Sequence, residues 1–228
     1  MPRHIFAKGL LGAGLVLGAT SLGIGLAGQS MAAGPAAAST RSAALSEPGT
    51  PPAASQPSPD TQSVKDANGY VSMEVPSTWT VLTPEQLDRQ MQDPNMDPAL
   101  KQYMQTLKQY GALVTLDPQS RQTSPTQFAT NVNAYCAPGN ASVEALKAAA
   151  PENLRQAGAQ NIQTVDATVD GHPAVGVKYT LPNRNDQLVA RQVQVPVTGR
   201  VCVITFTTDR LARYRPIFEA IASTIKLT

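Results

Sequence analysis

The chain has 228 residues, 18 lysines and arginines against 16 acids, and 42% hydrophobic side chains, which is enough for one folded domain with its own core. Both surplus cations, Arg3 and Lys8, lie in the first few residues, so a form lacking that end is formally neutral. A neutral protein has no overall field to attract nucleic acid or an anionic membrane, although a local patch remains open.

Arg3 and Lys8 precede an uncharged run from Gly9 to Gly28, followed by the small residues Ser30, Ala32 and Ala33. That order is the layout of a secretory signal peptide, assigned here to residues 1–33. Seven glycines between Gly9 and Gly28 dilute its apolarity, which favours a cleaved signal over a retained membrane anchor. No cysteine occurs in the first forty residues to accept a lipid, and no twin arginine marks export in the folded state.

Residues 34–64 are rich in proline, alanine, serine and threonine, with Leu45 the one leucine in the stretch and no aromatic ring. Such a segment cannot bury enough surface to offset its ordering entropy, and it reads as an extended, disordered linker. Residues 65–228 are assigned to a single domain.

Within the domain, Tyr70 to Val75 alternates like a strand and stops at Pro76. Thr83-Pro84-Glu85-Gln86 spells a capping box, with Thr83 as the N-cap and proline at the first helical position. A second helix opens at Asp97-Pro98, with Leu100, Tyr103, Met104 and Leu107 on one stripe, and ends near Gly111. Residues 112–116 and 128–136 read as strands joined by a polar loop containing Pro118 and Pro125. Ser142 caps a helix that Pro151 is expected to kink or split and that Gly158 closes. Residues 162–169 and 174–181 form a hairpin about Asp170-Gly171. Strands at 188–195 and 201–208 follow, then a helix carrying Leu211, Tyr214, Phe218, Ile221 and Ile225, whose regular part should begin only at Pro216. The strand at 201–208 has apolar residues at both parities, which places it centrally and covered on both sides. Grouped strands flanked by helices predict an α+β domain with a mostly antiparallel sheet and helices on both faces.

Two cysteines in an exported chain read as a disulfide, Cys136–Cys202, both lying on strands. His172 is the one histidine outside the signal segment, and its place in a tight turn favours a solvated residue over a catalytic base. No Gly-x-Ser-x-Gly elbow accompanies it. Asp93-Pro94-Asn95-Met96-Asp97 copies the start of a calcium loop, but Pro98 stands where that loop needs glycine and Met104 where it needs glutamate. Turn and cap roles fit these acids better, so neither a metal nor a cofactor is expected. Asn140-Ala141-Ser142 matches a glycosylation sequon and reads first as a helix cap. Asn131, Asn133 and Tyr135 project from one side of their strand, as a groove lining or as a solvated sheet face. Trp79, following Pro76, reads as a packing anchor or a binding residue. These four form the expected ligand or partner face.

Val71-Ser72-Met73-Glu74-Val75-Pro76 with Trp79, the segment Asp170-Gly171-His172-Pro173-Ala174 running into Val175 to Tyr179, and the Phe218, Ile221, Ile225 helix resemble the PsbP-like and Mog-like domains. The proline-rich stretch ahead of them resembles the LpqN-type branch of actinobacterial envelope proteins. The resemblance implies an α-β-α sandwich that acts by binding, with no catalytic set to transfer. PsbP-type members dock on a photosystem, Mog-type members on a small GTPase, and LpqN-like members are associated with envelope glycolipid transport. The expected function is therefore a non-enzymatic exported envelope module, monomeric, recognising a protein partner or carrying an envelope (glyco)lipid, outside the cytoplasmic membrane. The rival expectations are a secreted hydrolase using a carboxylate pair and a structural surface antigen.

Overall fold

The computed structural model describes residues 60–228 apart from 95, 97, 184 and 185. The signal and linker segments therefore lie outside the described residues, except for the linker's last few. There Thr61–Lys65 forms a strand (β1). Its pairing with Val71–Pro76 (β2), and the burial of Val64 to 8% exposure, draw into the fold a stretch whose composition reads as linker. Alternation over five residues is too short a signal to stand out beside the prolines.

β2 does not join the main sheet. It is the middle strand of a small antiparallel sheet with β1 and the C-terminal Lys226–Leu227 (β10), which brings the two ends of the described residues together. Thr80–Val81 (β3) then enters the large sheet, and the helices Pro84–Met91 (α1) and Pro98–Gln109 (α2) follow. Both halves of the capping box form: the Gln86 amide donates to Thr83 Oγ1 at 3.3 Å, and Gln86 Oε1 accepts from the Thr83 amide at 2.7 Å.

After Leu113–Leu116 (β4) the expected polar loop contains a short helix, Pro118–Thr123 (α3). Asp117 caps it, accepting from the Gln119 amide at 2.9 Å, with Pro118 at the first helical position. Asn131–Pro138 (β5) precedes Val143–Gln156 (α4), which Ser142 caps through the Ala145 amide. Pro151 lies inside α4 without splitting it. Gly158, at φ +81°, closes the helix as its sequence position suggests.

Gln160–Val169 (β6) and His172–Asn183 (β7) form the expected hairpin, with Asp170 and Gly171 both at positive φ, 49° and 79°. Asp186–Val197 (β8), Arg200–Thr208 (β9) and the helix Leu211–Ser223 (α5) complete the domain. The regular part of α5 starts at Leu211, not at Pro216. The carbonyl that Pro216 leaves without a donor belongs to Ala212, an exposed residue, where solvent can replace the missing amide.

The large sheet runs β3-β4-β5-β9-β8-β7-β6, antiparallel throughout, with β9 at its centre and buried along nearly all its length. Helices lie on both faces. On one, Phe218 and Ile221 of α5 pack with the inner side chains of the small sheet over Val132, Ala134, Ile204 and Phe206. The Phe206 and Phe218 rings lie 5.2 Å apart. On the other face two separate apolar clusters form. Tyr103, Met104 and Leu107 of α2 cover Val114, Leu116 and Val203, whereas Ala150 and Leu154 of α4 cover Val175, Val177, Leu181 and Leu188. Each large apolar side chain withdrawn from water here contributes roughly 1.5–3 kcal/mol. The fold is thus α+β, with an added second sheet that the periodicity did not reveal.

Candidate functional site

Between the two clusters the sheet is polar. Strand register aligns three cross-strand rows on the α2/α4 face: Asn131–Thr207–Ala190–Tyr179, Asn133–Thr205–Gln192–Val177, and Tyr135–Val203–Gln194–Val175. Asn131, Asn133, Gln192, Thr205 and Thr207 are at most 3% exposed. The face that the sequence offered as a groove lining or a solvated surface is therefore covered by helices. A pattern of alternating polar residues reports the pleat, but not what another segment later lays over it.

Burying amides and hydroxyls costs free energy unless they are paired. The middle row solves this internally. Tyr103 of α2 donates its hydroxyl to Asn133 Oδ1 at 2.9 Å, Gln192 Nε2 donates to Thr205 Oγ1 at 3.2 Å, and Gln194 Nε2 donates to Gln192 Oε1 at 2.8 Å. The first row does not. Asn131 donates through Nδ2 to the Ala129 carbonyl, yet its Oδ1, together with Thr207 Oγ1 and the Tyr179 hydroxyl, has no partner in the protein. Ala190 lies between Thr207 and Tyr179 in that row, and its small side chain leaves the two hydroxyls without an intervening bulky group. Three buried polar atoms in register ask for water or for the polar group of a ligand.

The electrostatics of this strip are neutral. Burial, reinforced by the neighbouring tyrosines, pushes the Tyr103 phenol well above its ordinary value despite the hydrogen bond to Asn133. Tyr179 moves the same way, chiefly by burial, and Tyr135 is pushed up to about 12 by burial and by Tyr110, whose ring stacks on it at 5.6 Å. All three phenols stay protonated at neutral pH. None of the side chains in the three rows is a carboxylate, lysine, arginine or histidine. Such a floor presents only uncharged donors and acceptors.

Trp79 does not join this group. It is 4% exposed in the core on the α5 face, with Met73 and Val75. Cys136 and Cys202 face each other in register on β5 and β9 and form the disulfide, with their Cα atoms 4.0 Å apart, also on the α5 face. His172 is the exposed first residue of β7. Asp93 starts a turn accepting from the Met96 amide, while Asn95 and Asp97 lie outside the described residues. Among the described residues no three of His, Cys, Asp or Glu cluster to hold a metal, and no helix is long and apolar enough to cross a membrane.

The buried acids elsewhere are engaged in holding loops. Asp117 Oδ2 accepts the Tyr214 hydroxyl at 2.6 Å, and Asp209 Oδ2 accepts the hydroxyls of Ser124 and Thr126. Arg210 reaches back to the Ser120 carbonyl at 2.8 Å and the Thr123 hydroxyl at 2.7 Å. This network ties α3 and the segment after it to the start of α5. No local pattern signals it, because its members are 80 to 100 residues apart and each reads locally as a cap or turn.

No protein-family model and no curated protein matches the chain. Solved structures do resemble it. A Bacteroides thetaiotaomicron protein aligns with 73% of this chain at 12% identity and a TM-score of 0.45; the chain spans 48% of that protein's length. LpqN of Mycobacterium tuberculosis, described as involved in cell envelope biogenesis, aligns over 74% of this chain and 91% of its own at 14% identity and a TM-score of 0.46. The cyanobacterial PsbP of Synechocystis aligns over 74% of this chain and 92% of its own at 13% identity and a TM-score of 0.44.

Proposed function

We propose that this chain is an exported, non-enzymatic binding module of the cell envelope, working as a monomer outside the cytoplasmic membrane. In the leading reading it carries an uncharged, hydroxyl-bearing envelope molecule such as the head of a (glyco)lipid. The observation that supports this is the row Asn131–Thr207–Tyr179, whose three buried polar atoms have no partner within the chain. Hydroxyl groups both donate and accept, as those atoms require, and the apolar clusters of α2 and α4 flank the row on either side. A hydrolase based on paired carboxylates would need two acids facing a common cleft, and the strip offers none. Recognition of a partner protein is the second reading, favoured by a part of the opposite sheet face that no described helix covers.

Native mass spectrometry of the protein purified from the envelope fraction of its producing cell tests the leading reading. An adduct that extraction identifies as a hydroxylated lipid, and that Thr207→Val together with Asn131→Leu removes, is the expected result. A bare mass in both forms refutes carriage.

A further inference from the structure

On the α5 face, α5 and the small sheet cover β5, β9, the adjoining part of β8 and the hairpin end of β6 and β7, where Val169 and Ala174 are buried, while positions farther along β6 and β7 stay open. Val165 of β6 is 43% exposed there, and Lys178 of β7 projects to solvent. Register sets Lys178 directly opposite Arg191 of β8 on this open face. Like charges directly opposite on neighbouring strands repel and destabilise the pair.

Little inside the protein relieves that repulsion. Arg191 Nη1 is 3.8 Å from Glu219 Oε1, but the same oxygen accepts from Arg215 Nε at 2.8 Å. One carboxylate thus serves two arginines. The Arg191 side chain keeps 25% of its surface exposed, and a guanidinium presents a rigid fork of donors suited to a carboxylate. Beside the cations the surface is apolar and shallow: Val193 and Gly176 are opposite one another in register, and Val165 lies over Gly176 closely enough that a Cβ at that glycine would meet its Cγ2 at 2.8 Å.

We propose that Lys178 and Arg191 form a docking point for an acidic side chain on an extended segment of a partner protein, with Val165 and Val193 receiving the apolar neighbours of that acid. The inference rests on the second reading above and names the chemistry that partner must carry. A carboxylate between the two cations removes their repulsion, so the pair is unfavourable when free and favourable when bound.

The test uses the full chain, wild type and Lys178→Glu, titrated with a short synthetic peptide alternating valine and glutamate and with its valine–lysine counterpart. Lys178→Glu places a carboxylate opposite Arg191. It is expected to raise the free protein's Tm by roughly 1–4 °C and to weaken the acidic peptide by about tenfold or more, with the basic peptide binding neither form well. Equal affinity of the acidic peptide for both forms overturns the proposal, as does a lower Tm for the variant. Inorganic phosphate binding more tightly than the peptide also overturns it, since the cations would then hold a free anion. Crosslinking in the envelope separates this failure from failure of the binding reading: the same partner trapped by both forms refutes this surface and leaves the module's partner in place.

Discussion

Removing the Tyr103 hydroxyl isolates the coupling between helix α2 and the polar strip. Tyr103 and Asn133 are each 1% exposed and share a 2.9 Å hydrogen bond, so Tyr103→Phe leaves Asn133 Oδ1 buried without a donor. The ring volume is unchanged, and the loss is therefore the desolvation of one acceptor, about 1–3 kcal/mol. For a domain of this size that corresponds to a fall in Tm of roughly 2–12 °C. Asn133→Leu strands the tyrosine hydroxyl in turn and costs a similar amount. Replacing both partners removes both unsatisfied groups, so the double variant should be less destabilised than the sum of the singles by about 1 kcal/mol or more. Urea unfolding of the four proteins gives the cycle directly. Additive effects would show that the bond does not hold α2 to the sheet, and the account of a middle row satisfied within the protein would be wrong.

Three further predictions follow from other parts of the fold. Replacing Cys136 and Cys202 together by alanine opens a loop of sequence separation 66, which the chain-entropy model values at about 4 kcal/mol; an unchanged urea midpoint, or an unchanged midpoint of the parent under reductant, would contradict the bridge. Gly111 ends α2 at φ +62°, with a hypothetical Cβ 2.9 Å from Ala67 Cβ. Gly111→Ala should therefore destabilise by roughly 1–3 kcal/mol, whereas Gly199→Ala, at φ +75° but in open space, should cost less. Asp170 accepts from the Leu227 amide and from Lys226, in that order of effect, and its carboxyl is held below the usual range. A depressed folded pKa gives stability that is present above the unfolded value of about 3.9 and lost as the pH falls through the folded value. The Tm difference between wild type and Asp170→Asn should thus be present at neutral pH and shrink below about pH 4; a pH-independent difference would exclude the linkage.

Much of the local structure could be read directly from residue order. The Thr83–Gln86 capping box, the Asp170-Gly171 turn, the Gly158 stop and the two-sided burial of β9 each depend on side chains a few positions apart, and all of them occur. Short-range steric and hydrogen-bonding rules decide such features. Pro216 is where a local rule misleads, because an exposed carbonyl tolerates losing its donor to the helix. The polar face of β5 was legible as a face, since alternation separates Asn131, Asn133 and Tyr135 from Val132, Ala134 and Cys136. Its covering was not, because the α2 stripe and the β5 alternation carry no statement of which lies over which.

Residue order was enough for the class of fold, the order of the long elements, the pairing of the cysteines and the centrality of β9, since periodicity and turn chemistry act within a few residues. Long-range packing set the rest: β2 leaves the main sheet for β1 and β10, Trp79 sits in the core away from Asn131, and Thr207, Ala190 and Tyr179 align with Asn131 in one row. Strand order and register decide those neighbours, and they are chosen by the burial of whole faces, with contributions from segments far apart in the chain. The opposition of Lys178 and Arg191 belongs to the same category: two unremarkable surface cations become a pair only when β7 and β8 settle into register.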